Sequence, residues 1–195
     1  MCLVCGKGAI DGITHRYCRG RKTIDGSFAS TLYKGIIRKL LFRFKYKPYV
    51  SDVKTILGDL FYESLIQHEG FSQILENKPV LVPIPLHFSK LKSRGYNHAQ
   101  ILADELSKRL NLKSMNILTR VKKTKTQFGL KRKERKENVS GAFALRTDSG
   151  VAPLPRMTVI LVDDILTTGA TMQEAARVLK EHGVSKVYAL AFARD

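Results

Sequence analysis

Hydrophobic and polar positions along the chain follow two textures. Between Leu32 and Tyr46, the apolar residues Leu32, Ile36, Leu40 and Phe44, joined by Ile37 and Leu41, recur at helical spacing with Lys34, Arg38, Lys39, Arg43 and Lys45 between them. This predicts a basic amphipathic helix ending near Pro48. Its apolar side is expected in the core and its lysines in water; a membrane-surface or nucleic-acid role for the basic face is the alternative. A second helix is expected over Val53 to Gln67. From Pro79 onward short β-rich runs alternate with helical ones: Val80 to Leu86, Met115 to Val121, Met157 to Val162 and Lys186 to Ala193 read as strands, and Ala99 to Leu110 and Thr171 to Glu181 as helices. Such alternation predicts an α/β fold, a parallel sheet flanked by helices, with ligands at the carboxyl ends of the strands. Arg19 to Ser30, polar and glycine-containing, reads as a connector. The chain thus divides into a small amino-terminal segment over residues 1–20, a connector with basic helices over 21–78, and an α/β domain over 79–195.

Composition narrows the class. With 195 residues, 44% of them apolar, the chain can bury one ordinary core plus a small appendage. Its formal charge of +17 favours polyanions or anionic substrates without saying which. The stretch from Arg120 to Lys136 holds nine lysines and arginines against one acid, Glu134. No apolar run approaches the roughly 18 residues that cross a bilayer. Cys2 and Cys5 stand where a signal peptide would be uninterruptedly apolar, so a cytoplasmic protein is expected.

All three cysteines lie in the first 18 residues, too few and too odd in number for a disulfide framework. Cys2-Leu3-Val4-Cys5 is one C-x2-C pair, and His15-Arg16-Tyr17-Cys18 repeats the two-residue gap with a histidine in one place. Thiolates and an imidazole at that spacing suit tetrahedral Zn2+, and a structural Cys3His site of Cys2, Cys5, His15 and Cys18 is expected. A segment this short does not hold itself by burial alone. The alternative is a ribbon that has lost its metal.

The densest chemistry lies in Val159 to Thr171, Val-Ile-Leu-Val-Asp-Asp-Ile-Leu-Thr-Thr-Gly-Ala-Thr. Four apolar residues make a strand buried on both faces, and Asp163 and Asp164 follow. Adjacent residues of an extended chain point oppositely, so both acids reach one ligand only if the backbone begins to turn there. Thr167, Thr168, Gly169, Ala170 and Thr171 then lead into a helix, offering unpaired N–H groups, hydroxyls and a positive dipole end for a phosphate monoester. A carboxylate pair beside a phosphate cradle suits the vicinal hydroxyls and 5′-phosphate of a ribose. No G-x-x-x-x-G-K-[ST] loop is present and no G-x-G-x-x-G follows a strand, which removes ATPase and dinucleotide readings.

This thirteen-residue pattern resembles the phosphoribosyl diphosphate signature of the type I phosphoribosyltransferases. Val82-Pro83-Ile84-Pro85-Leu86, then Arg94-Gly95-Tyr96-Asn97-His98-Ala99, resemble the ComF group of that family, as do Gln127, Arg135, Asn138, Gly141-Ala142-Phe143 and the amino-terminal knuckle. His98 stands where that group usually has glutamine, and His15 where it usually has a fourth cysteine. The resemblance implies binding of 5-phosphoribosyl 1-diphosphate with Mg2+. Asp163 and Asp164 would orient the sugar, and a second loop with Lys90, Lys92 and Arg94 would hold diphosphate. It implies either transfer of the sugar to a nitrogenous acceptor with release of pyrophosphate, or a non-catalytic binder in DNA uptake that contacts single-stranded DNA or a helicase partner. The cationic stretch fits both a diphosphate hood and a nucleic-acid contact. A plain nucleic-acid-binding zinc protein is the third possibility.

Overall fold

The computed structural model describes residues 1–46, 51–124, 132–146 and 156–195, so Pro48 and Gln127 lie outside the described residues. After two 3-10 turns come β1 (Gly26–Leu32), α1 (Gly35–Tyr46), α2 (Ser51–Ile66), α3 (Glu69–Leu75), β2 (Val80–Pro83), α4 (Phe88–Arg94) and α5 (His98–Leu110). Then follow β3 (Leu118–Arg120), α6 (Arg132–Val139), β4 (Phe143–Leu145), β5 (Thr158–Leu166), α7 (Ala170–Glu181) and β6 (Lys186–Arg194). Strands β1, β6, β5 and β2 lie in that order in one parallel sheet, and β3 and β4 form a separate antiparallel pair.

The period-2 alternation of the central strands sorts their side chains into two cores. Val82, Val159, Leu161 and Ala189 pack on one face against Met172, Ala175, Ala176 and Leu179 of α7. Leu81, Ile160, Val162, Leu190 and Phe192 pack on the other against Phe44 of α1, Phe61 of α2 and Leu102 and Leu106 of α5. Because both faces are covered, β5 and β6 read as near-continuous apolar runs. No helix among the described residues is long and apolar enough to cross a membrane.

Among the elements that differ from the sequence pattern, three show the physical reason clearly. The stretch read as a connector contains β1, whose register against β6 runs from Gly26↔Tyr188 to Leu32↔Arg194. Its polar residues hide the strand, yet two of them find backbone carbonyls from distant parts of the chain: Ser27 Oγ donates to Met1 O at 2.6 Å and Thr31 Oγ1 to Phe192 O at 2.9 Å. Strand β2 stops at Pro83, after which Ile84 N–H still donates to Val162 O at 2.9 Å and Pro85, lacking an N–H, cannot extend the ladder. Strand β5 instead runs on to Leu166, with Asp163 opposite Ala191 and Ile165 opposite Ala193 of β6. The expected turn between the two acids is absent: they sit inside a strand paired on one side only, and because its other side is open both still border the same cavity.

Candidate functional site

The one-sided pairing of β5 creates the crevice. Beyond Val162 its β2 side is open, since the chain after Pro83 peels away into α4. Asp163, Asp164, Thr167 and Thr171 line the resulting cavity of about 480 Å³. Across it stand Lys90 and Arg94 of α4, Arg120 of β3 and Arg135 of α6, with Arg38 and Lys45 from α1. The cavity lies at the carboxyl ends of the parallel strands β2 and β5, the end of the sheet where open α/β folds bind ligands.

The electrostatics are those of a site waiting for anions. Burial lowers the pKa of Lys90, and the charges of Arg120, Arg94 and Lys45 lower it further, because a fourth cation is unwelcome among three. Burial also lowers Arg120, with Asp163 acting in the opposite direction. Arg120 Nη2 donates to Thr124 Oγ1 at 2.6 Å, while its buried Nε has no hydrogen-bond partner among the described residues. A buried guanidinium donor without an acceptor costs stability that an oxyanion would recover. Burial, then the neighbouring charge of Asp164, push the Asp163 carboxyl up to about 7.

Lys45 was expected in water and is not. Its Nζ lies 2.6 Å from Asp164 Oδ2, with the two side chains 20% and 10% exposed. Burial opposes the charge on Lys45, but Asp164 outweighs it and the ammonium pKa is raised. The placement follows from helix geometry: Lys45 is four residues after buried Leu41 and next to buried Phe44, so it lies on the inward face of α1. Tyr96 Oη donates to Phe44 O, and His98 packs against the rings of both, which ties the end of α1 to the start of α5. Burial drops His98 to about 4, so it is a neutral spacer under the pocket, with Nε2 at 3.5 Å from Arg94 Nη1.

The other residues expected at the site divide. Asn97 lines the cavity and caps α5, accepting from Ala99 N–H at 3.2 Å while its Nδ2 donates to Ile84 O at 3.0 Å. It thereby braces the segment between β2 and α4, the helix that carries Lys90 and Arg94. Lys92 is exposed on α4 and is not among the lining residues. Asn138 is half-buried on α6, one turn from Arg135, and does not line the cavity. Gly169 is the N-cap of α7 with φ +74°, a left-handed conformation that favours glycine. Thr168 and Ala170 face away from the acids, into a second cleft of about 410 Å³ shared with Val4, Cys5 and Gln173.

At the amino terminus, the ligand atoms of Cys2, Cys5, His15 and Cys18 all lie within 4.8 Å of one another, a cluster placed to hold a metal ion. His15 Nδ1 is 3.3 Å from Cys5 Sγ, and Nε2 on the far side of the ring is 2.6 Å from Gly8 O. One ring nitrogen toward the ion and the other donating to a carbonyl is the usual posture of a metal-binding histidine. Burial alone would raise the Cys2 thiol, but backbone N–H groups of Cys5, His15 and Val4 bring it down to about 6, favouring thiolate.

The sequence is also similar to known proteins. The phosphoribosyl transferase domain model matches residues 71–195. The chain is 35% identical to competence protein F of Haemophilus influenzae over 80% of its own length and 66% of that protein's. It is 31% identical to competence protein ComFC of Bacillus subtilis, covering 77% of this chain and 56% of that one. It is also 31% identical to DNA utilization protein YhgH of Salmonella typhimurium, covering 70% and 58% respectively. The chain thus spans less than two thirds of the length of these curated relatives.

Proposed function

The chain belongs to the phosphoribosyl transferase domain family, in its ComF group, and we propose that it binds 5-phosphoribosyl 1-diphosphate and transfers the phosphoribosyl group to a nitrogenous acceptor. The observation that carries this reading is the gathering of Asp163, Asp164, Thr167 and Thr171 with Lys90, Arg94 and Arg120 around one cavity. In the reaction a nitrogen lone pair forms the bond to C1 as the C1–O bond to diphosphate breaks, and the nitrogen's proton leaves to solvent. The transition state carries positive charge on the sugar, so the protein's task is positioning and electrostatic stabilisation. Asp163 and Asp164 accept hydrogen bonds from the ribose hydroxyls, and the 167–171 loop with the α7 N-terminus holds the 5′-phosphate. Lys90, Arg94 and Arg120 take the charge of the departing diphosphate. The hard carboxylate oxygens of Asp163 and Asp164 also suit Mg2+, which when bound neutralises diphosphate charge. The Cys3His cluster holds a structural Zn2+.

A second reading keeps the ligand and drops the chemistry: a phosphoribosyl-diphosphate-binding factor in DNA uptake. The names of the three relatives favour it, and so do the exposed Lys133 and Lys136 of α6 within the cationic stretch. Calorimetric titration with phosphoribosyl diphosphate and Mg2+, then a pyrophosphate-release assay over a panel of bases, separates the cases. Binding with turnover supports the transferase, and binding without turnover the factor. For the factor, retention on single-stranded DNA should fall steeply with salt. No binding at millimolar ligand overturns both.

A further inference from the structure

Leu3 lies between the metal-ligating Cys2 and Cys5, and its side chain is 1% exposed although the segment around it is only a short knuckle. What it packs against is the phosphate loop. A Cβ added to Gly169 would meet Leu3 Cδ1 at 2.9 Å, Cδ2 at 3.0 Å and Cβ at 3.2 Å, so Leu3 fills the space behind that glycine. The carbonyl of Leu3 grips the same turn: Gln173 Nε2 donates to Leu3 O at 2.8 Å, and Gln173 N–H donates to Gly169 O at 2.9 Å. Two residues earlier, Ser27 Oγ holds the carbonyl of Met1 against β1.

We propose that the metal knuckle is the back wall of the phosphate loop and that Leu3 is a positioning residue for phosphate binding. The proposal rests on the phosphoribosyl diphosphate reading of the cavity. Gly169 is the loop residue with the widest backbone freedom, and phosphate binding needs it in a single conformation. Leu3 supplies that restraint from a place 166 residues away in sequence. Truncating Leu3 leaves a void beneath the loop, and the loop then samples conformations that no longer aim its N–H groups together. Apparent affinity falls in proportion to the competent fraction. The knuckle has too little apolar surface to hold Leu3 there unaided, and its cluster of thiolates and imidazole accounts for how it does so.

The test is titration calorimetry of Leu3→Ala with two probes. Ribose 5-phosphate engages the 167–171 loop, whereas inorganic pyrophosphate engages Lys90, Arg94 and Arg120. We expect ribose 5-phosphate to bind about tenfold more weakly, as when roughly one loop in ten is competent, with pyrophosphate affinity unchanged and Leu3→Met restoring the unmutated value. Should Leu3→Ala not fold, Leu3→Val carries the same comparison with a loss of about threefold, since it removes less of the side chain. Unchanged ribose 5-phosphate affinity, or an equal loss for both probes, overturns the proposal while leaving the functional reading in place. An unmutated protein that binds neither probe overturns that reading and the proposal with it.

Discussion

Replacing Lys45 by methionine removes the cation from the ion pair beneath the cavity while keeping most of the side chain's apolar bulk. The pair is close, 2.6 Å between Lys45 Nζ and Asp164 Oδ2, and mostly buried. At an effective dielectric near 20, unit charges about 4 Å apart attract by roughly 4 kcal/mol, and desolvation of both ions offsets much of this. Removing one partner alone is worse than removing both, because the surviving carboxylate stays buried; for fully buried pairs that costs about 3–5 kcal/mol. This pair opens onto a cavity, so water recovers part of the loss and about 2–3 kcal/mol is expected. For a chain of this size that lowers the melting temperature by roughly 4–12 °C. The assay is urea unfolding at pH 7.5 of the unmutated protein, Lys45→Met, Asp164→Asn and the double variant. The double variant should lose less than the two single losses combined, with a coupling of about 1.5–2.5 kcal/mol. A Lys45→Met variant within about 0.5 kcal/mol of the unmutated protein and additive with Asp164→Asn would refute the reasoning.

Two further perturbations probe the acid pair and the knuckle. The folded-state carboxyl of Asp163 titrates at about 7, above an unfolded value near 4, so the folded state holds this proton more tightly and stability is lost as pH rises between the two. Asp163→Asn should therefore be the more stable protein at pH 8, by a margin that shrinks as pH falls through 7 and vanishes near 4. A margin independent of pH in denaturant titrations contradicts the assignment. Metal analysis of the purified protein should find about one equivalent of Zn2+, with His15→Ala binding it more weakly and melting lower. Less than about half an equivalent in the unmutated protein argues against the site.

Legibility in the sequence was uneven, and the division is physical. Helices α5 and α7 and the buried run of β5 and β6 were readable because their signal is local: helical spacing and continuous apolar strands. The acid pair and the Thr-Thr-Gly-Ala-Thr loop were readable for the same reason, since a strand, a turn and a helix start lie within thirteen residues. Strand β1 was not, because Ser27 and Thr31 satisfy themselves on backbone carbonyls that only the folded chain brings near. Lys45 carried a faint signal, its four-residue offset from Leu41, which the surrounding run of lysines and arginines obscured.

By itself, then, the sequence determined the class of the sheet, the place of the carboxylates and of the proposed phosphate loop, and the four candidate metal ligands, all of which depend on neighbours within a few residues. The tertiary structure decided which cations reach the acids, bringing Lys45 and Arg120 in and leaving Lys92 out, and it seated Leu3 behind Gly169. Contacts of that kind depend on where distant elements cross, and no spacing along the chain encodes the crossing. The opening of the cavity is the clearest case: it exists because β2 leaves the sheet at Pro83 while β5, still paired to β6, continues to Leu166.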